Sequence, residues 1–246
     1  STWKNYEIVV VENNSVEQSI RDYYKELESD PKVKIVTYEG GFNYSRINNV
    51  GVKETKGEYL LFLNNDTEVI SPDWMEQLLM YAQRKDVGAV GAKLYYADNT
   101  IQHAGVVIGL GAHRSAGHTH YKMPREHLGY MGRLCYAQDV TAVTGACLMV
   151  KKSIYEEVDG LDESFTISLN DVDLCLKIRE KGYLNIFTPF AELYHYESKT
   201  RGMEEGEKLR RYERECAHFR DKWKEQLDAG DPYYNPNFSL DYSDFT

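Results

Sequence analysis

Three places in this sequence put polar side chains where an apolar segment ends. In YLLFLNNDTEV (59–69) the apolar run from Tyr59 to Leu63 stops at Asn64-Asn65-Asp66. In NDVDLCLKIREKG (170–182) Asn170 and Asp171 open an amphipathic stretch, and in ELYHYESKTRG (192–202) His195 closes one. A hard cation such as Mg²⁺ or Mn²⁺ seeks oxygen ligands and typically takes one or two carboxylates plus substrate phosphates. Asp66 could supply such a carboxylate, with the neighbouring amides orienting water or a ribose hydroxyl. The same three residues also suit an ordinary turn or helix cap. Asp171 could be a general base that takes a proton from a sugar hydroxyl, or only a carboxylate favoured by a helix dipole. His195 could be a ligand or a hydrogen-bonded structural residue. His113, His118 and His120 in AHRSAGHTH have the side chains of a metal cluster, but a Gly-containing loop without a nearby acidic run gives structural zinc little support.

Alternating strands and helices must position these groups. YEIVVVE (6–12), VKIVTY (33–38), EYLLFLN (58–64), VGAVGAKLYY (87–96) and AVTGACLMV (142–150) are short apolar runs of the kind that form buried strands. Helices are expected at 15–30 with Ser15 as N-cap, at 44–57 ending near Gly57, and at 71–84 with Ser71 as N-cap and Pro72 first in the helix. A further helix is expected over 170–182. Such alternation predicts a sheet covered by helices on both faces, with ligands at the carboxyl ends of the strands. Residues 97–140 show no clear helix and predict a partly irregular insertion. YLNIFT and AELYHYE predict two closing strands. A long charged helix at 203–227 reads as a solvated face, and the aromatic tail as a packed extended arm, giving one domain over 1–202 and an appendage over 203–246.

The bulk composition narrows the function classes. The 246 residues are 42% hydrophobic and 28% charged, typical of a globular chain. A net charge of −10 argues against nucleic-acid phosphate as a partner. Twenty Tyr residues fit either a carbohydrate-handling surface or a half-exposed core. No apolar run is long enough to span a bilayer, and no secretory leader is read. The four cysteines include no CxxC pair, and Cys147 and Cys175 read as small core residues, so a reducing cytoplasmic setting is expected.

Taken in order, YEIVVVENNS, GGFNYSRINNVGVKETKGEYLLFLNNDTEV, VGAVGAKLYY, TIQHAGVVIGL, VTGACLMVKKSIYEEVDGLDESF, NDVDLCLKIREKGY and AELYHYESKTRG resemble the blocks of family-2 glycosyltransferases over about residues 5–202. The similarity is to the bacterial branch that builds rhamnose-containing and other cell-surface polysaccharides. It implies an α/β, GT-A-like (Rossmann-like) three-layer sandwich with a mixed, mostly parallel sheet. It also implies an inverting transfer from a nucleotide-sugar to a saccharide or lipid-linked saccharide acceptor, assisted by Mg²⁺ or Mn²⁺, at the cytoplasmic side of a membrane with peripheral association.

By the same resemblance, Asn64-Asn65-Asp66 fills the slot of an Asp-x-Asp motif, with Asp66 and His195 as metal or diphosphate ligands. Asp171 falls at the catalytic base and Asn170 at an acceptor-orienting position usually held by Glu. Glu12, Asn13 and Arg46 fall where the nucleotide base is held, and Gly145 and Ala146 where room is made for the donor sugar. The sequence starts just before the family's second strand. The resemblance therefore implies a sheet without the first strand and helix, with an exposed edge open to homodimerisation. Replacement of two acidic positions by Asn64 and Asn170 keeps a non-catalytic sugar-binding module as the alternative. A nucleotidyltransferase would want a Gly-rich phosphate loop, which these residues lack.

Overall fold

The computed structural model describes residues 1–196 and 206–246. The chain runs β1 (Ile8–Glu12), α1 (Gln18–Leu27), β2 (Val33–Thr37), α2 (Tyr44–Lys53), β3 (Tyr59–Leu63), β4 (Thr67–Val69), α3 (Trp74–Ala82) and β5 (Val87–Tyr95). Then follow β6 (Ile101–His103), β7 (Val106–Ile108), β8 (Ala116–His118), β9 (Gln138–Val140), β10 (Cys147–Lys151), α4 (Lys152–Glu157), α5 (Asn170–Glu180), β11 (Leu184–His195), α6 (Glu207–Lys222) and α7 (Lys224–Ala229).

The main sheet has the order β3-β10-β5-β11-β4, with β6 on β5 and β9 on β11. It is mixed, as expected, but less parallel than the resemblance implies. β5 and β11 are parallel, while β10 runs antiparallel between β3 and β5 and β4 runs antiparallel to β11. β1 and β2 form a separate parallel pair. Period-2 alternation along β10 divides the core in two. Cys147 and Met149 face α3 with Trp74, Leu78 and Ala82, whereas Leu148 and Val150 face the cluster holding Val172, Leu174 and Ile178 of α5. The result is a helix–sheet–helix sandwich. α5 lies against β5 at Gly88, where a Cβ would stand 2.1 Å from Ile178 Cγ2.

Several local expectations need correction. Ser15 does not cap α1: that helix starts at Gln18 after Glu17, and the Ser15 amide instead donates to Glu12 Oε1 at 2.5 Å. Ser71 does not cap α3, because its hydroxyl is used as an acceptor by the Glu192 amide at 2.8 Å. α2 stops at Lys53, before Gly57, and Asn43 caps its start. Residues 142–146 are loop, so the strand begins only at Cys147. The two closing strands are one, β11, which absorbs Pro189 in a register shift between Phe187 and Glu192. The helix expected over 203–227 breaks at Trp223, and its residues 203–205 lie outside the described residues. It is also no purely solvated face: Glu215, Cys216 and Phe219 are buried, and Phe219 and Trp223 enter the core cluster beside α5. The aromatic tail packs as expected, with Tyr234 and Phe245 against Val107 and Leu110.

Candidate active site

β3 and β4 lie at opposite ends of the sheet order, so residues 64–66 carry the chain from β3, paired with β10, to β4, paired with β11. The crossing is held at both sides. On one side the Asn64 amide donates to the Ala146 carbonyl at 3.0 Å, continuing the β3–β10 ladder. On the other, β4 pairs with the end of β11, placing Thr67 opposite His195, and the Tyr196 amide donates to the Asp66 carbonyl at 2.8 Å. Thr67 Oγ1 closes the turn on the Asn64 carbonyl at 2.8 Å.

This arrangement brings Asp66 to His195. Asp66 Oδ1 stands 3.1 Å from His195 Nε2, in a site where His195 is only 7% exposed. No hydrogen bond joins the two, and Asp66 Oδ1 is buried without a hydrogen-bond partner. At the far side of the ring, His195 Nδ1 is 2.7 Å from Gln102 Oε1. A carbonyl oxygen can only accept, so Nδ1 carries a proton, and in the neutral imidazole Nε2 then presents a lone pair. Asn64 Nδ2 approaches the same nitrogen at 3.2 Å. A carboxylate oxygen and an imidazole lone pair thus face one gap, a donor set that suits a divalent cation. Among the described residues no three His, Cys, Asp or Glu side chains converge, so a cation here would draw its remaining ligands from phosphate and water.

Asp171 connects to this turn through the loop before β10. Its Oδ2 accepts the Gly145 amide at 2.8 Å, and its Oδ1 accepts the Val172 amide at 2.8 Å. Tyr44 Oη donates to the Gly145 carbonyl at 3.0 Å. Gly145 sits closely here: a Cβ would stand 3.1 Å from Tyr44 Oη, so that ring would have to give way slightly, and 3.4 Å from Asp171 Cβ. Asp66 and Asp171 are therefore joined through Asn64, Ala146 and Gly145.

The other expected residues are arranged less tightly. Asn65 is exposed at the turn. Asn170 is 3% exposed and donates its amide to the Ile167 carbonyl at 3.0 Å, which orients it inward. Glu12 and Asn13 lie at the end of β1, where Asn13 Nδ2 donates to the Tyr38 and Gly40 carbonyls at 2.9 and 2.8 Å. Arg46 pairs with Glu163 at 2.7 Å, and this carboxylate, with Tyr38 adding to it, holds its pKa above the usual value. Arg46 lies in α2, two residues from Tyr44. The histidines of AHRSAGHTH do not converge: His113 meets Tyr212 edge to face, His120 packs at a tilt on Phe245, and His118 pairs with buried His103 at 2.8 Å. Tyr44 and Gln102 join the site without a sequence reading to mark them; the one available signal at Gln102 was a polar residue inside a short apolar stretch.

The family model for glycosyl transferase family 2 matches residues 1–159. The chain belongs to that family. Within this family-2 domain, Asp66, Gly145 and Ala146 fall inside the matched span, and Asp171 and His195 fall beyond it. The domain is 48% identical over 244 residues to an uncharacterised protein, y4gI, of Sinorhizobium fredii, covering 98% of the domain and 26% of that protein. It is 36% identical over 248 residues to the O-antigen biosynthesis protein RfbC of Myxococcus xanthus, covering 98% of the domain and 18% of that protein. It thus spans about a quarter or less of these relatives. A 60-residue stretch, 24% of the domain and 20% of the other chain, is 33% identical to an N-acetylglucosaminyl-diphospho-decaprenol L-rhamnosyltransferase of Mycobacterium tuberculosis. Among solved structures, GalNAc-T7 with UDP, GalNAc and Mn²⁺ superposes with a TM-score of 0.67 at 16% identity, over 90% of the domain and 43% of that chain. The mannosyltransferase PcManGT of Pyrobaculum calidifontis, with GDP-Man and Mn²⁺, gives 0.61 at 15% identity, over 91% and 59%. These likenesses establish a GT-A fold. No helix among the described residues is long and apolar enough to cross a membrane.

Proposed function

We propose that this domain is an inverting glycosyltransferase of cell-surface polysaccharide assembly, moving a sugar from a nucleoside-diphosphate donor to a saccharide or lipid-linked saccharide. The observation that carries the proposal is the facing pair of Asp66 Oδ1 and His195 Nε2, one an unpartnered buried oxygen and the other a lone-pair nitrogen, joined through Gly145 to Asp171. Asp66 and His195 would hold Mg²⁺ or Mn²⁺, which, when bound, neutralises charge on a departing diphosphate. Asn64 and Asn65 contribute amides where the parent motif has further polar contacts, and Glu12, Asn13 and Arg46 line the nucleotide end.

Asp171 takes the proton from the acceptor hydroxyl. The acceptor oxygen forms its new bond to the anomeric carbon from the face opposite the diphosphate, whose C–O bond breaks, and the configuration inverts. Both Asp171 oxygens already accept a backbone N–H, and each keeps a further lone pair for that proton. The M. tuberculosis relative is named for a diphospho-decaprenol-linked saccharide, which supports the lipid-linked class of acceptor.

The test is titration calorimetry of UDP and GDP with and without Mn²⁺, on the unaltered domain and on Asp66→Ala. Mn²⁺-dependent binding that falls at least ten-fold in the variant supports the reading. Equal affinity in both proteins removes Asp66 from the metal role. Nucleoside-diphosphate release from a panel of nucleotide-sugars separates a transferase from a binding module, which would bind but not turn over.

A further inference from the structure

Three backbone amides in a row, those of Thr166, Ile167 and Ser168, point at one carboxylate, and it comes from outside the site. Glu215 of α6 is 5% exposed. Its Oε1 accepts the Thr166 amide at 2.9 Å, the Thr166 hydroxyl, and the Ile167 amide at 3.2 Å, while its Oε2 accepts the Ser168 amide at 2.9 Å. Consecutive N–H groups aimed at one point form an anion-binding nest, and here α6 supplies the anion. The nested segment leads directly into the residue pair that opens α5. Leu169 follows with φ +64°, a left-handed conformation that a branched side chain adopts only when its surroundings impose it. Asn170 then bonds back to the Ile167 carbonyl, and the Thr166 carbonyl accepts the Tyr44 amide at 2.7 Å.

A second attachment lies just beyond Asp171. Asp173 is fully buried, and its Oδ1 takes the Trp223 indole N–H at 2.9 Å and the Lys222 ammonium at 2.7 Å. α6 therefore grips the chain on both sides of Asp171, at positions 166–168 and at 173.

We infer that α6 is a positioning element for Asp171, with Glu215 as its principal residue. This inference rests on the assignment of Asp171 as the base. A carboxylate that must meet a hydroxyl at hydrogen-bond distance loses rate steeply when its support loosens. Gln at position 215 keeps the shape but turns an NH₂ toward at least one of the N–H groups, so the nest is left partly unfilled.

The experiment compares Glu215→Gln, Trp223→Phe and Asp171→Asn with the unaltered chain. Amide hydrogen exchange is read at Gly145 and Val172, the two amides that Asp171 accepts. Nucleoside-diphosphate release from nucleotide-sugars and Mn²⁺-dependent UDP binding are measured beside it. Glu215→Gln is expected to speed exchange at both amides at least ten-fold and to lower release at least ten-fold, with UDP affinity within about two-fold. Glu215 serving only to dock α6 would speed exchange at 166–168 and lower the melting temperature while leaving Gly145 and Val172 unchanged. That result overturns the inference, as does a parallel loss of UDP binding. Full release by Asp171→Asn defeats the base assignment itself. Loss of release in Asp171→Asn with full release in Glu215→Gln defeats the positioning role alone. If Glu215→Gln does not fold, Trp223→Phe carries the same readouts, with at least three-fold faster exchange at Val172 expected and an unchanged rate refuting.

Discussion

Replacing Asp171 by Asn separates its chemical part from its structural part, and the geometry gives a size to each. Asn is nearly isosteric but is a far weaker base. A positioned general base contributes about 10²–10⁴ in rate, or about 3–5 kcal/mol of barrier at 1.36 kcal/mol per decade. The structural part follows from the two amides. Asp171 offers one oxygen to Gly145 and the other to Val172, both at 2.8 Å. Asn has a single carbonyl oxygen, so its NH₂ must face one of these N–H groups. An orphaned buried donor costs about 1–3 kcal/mol, which in a chain of this size is roughly 2–4 °C of melting temperature per kcal/mol. The expected variant is folded, melts lower by several degrees, binds UDP with Mn²⁺ within about two-fold, and releases nucleoside diphosphate at least a hundred-fold more slowly. Release rates, calorimetry and thermal melts on one preparation measure all of these. Turnover within three-fold of the parent would refute the base assignment, and unchanged melting would refute the account of the two amides.

Two further outcomes are expected. Gln102→Leu removes the acceptor that fixes the proton on His195 Nδ1; loss of such outer partners typically costs 10–100-fold in metal affinity, about 1–3 kcal/mol, so Mn²⁺-dependent UDP binding should weaken by that factor, and an unchanged Mn²⁺ titration would dismiss the effect. His120 is buried, and burial, reinforced by the Arg133 charge, pushes its pKa down to about 4. A depressed pKa means the unfolded chain binds the proton first, so stability is lost as pH falls from about 6.5 to about 4, by about 3 kcal/mol from this group. Unfolding free energies from urea melts of the parent and His120→Gln should draw apart in favour of the variant by that amount across the window, and parallel curves would exclude His120 as the cause.

The strands and the tip at Asn64-Asn65-Asp66 were legible because both depend on nearest neighbours along the chain. An apolar run of five residues ending in three polar ones shows where a strand meets water. Ser15 and Ser71 misled as caps because a hydroxyl can serve any nearby amide, and Ser71 serves Glu192, 121 residues away. YLNIFT and AELYHYE suggested two strands, yet a register shift lets one strand pass through Pro189 between them. Gln102 and Glu215 were out of reach for the same reason: their partners lie 93 and 47–49 residues distant, and Glu215 carries no local pattern that marks it. The charges along α6 pointed to solvent, but only the folded chain shows which single carboxylate turns inward.

β4 is three residues long and zips to β11 with Thr67 opposite His195. Side chains alternate between faces along a strand, so sliding this zip by one notch would turn the imidazole away from Asp66 altogether. Spacing between the two is consequently dictated by counting residues, much as teeth set the timing of a gear. One amino acid inserted between Asn64 and Val69 should yield a protein that keeps its core and melts normally, yet has lost its grip on any cation.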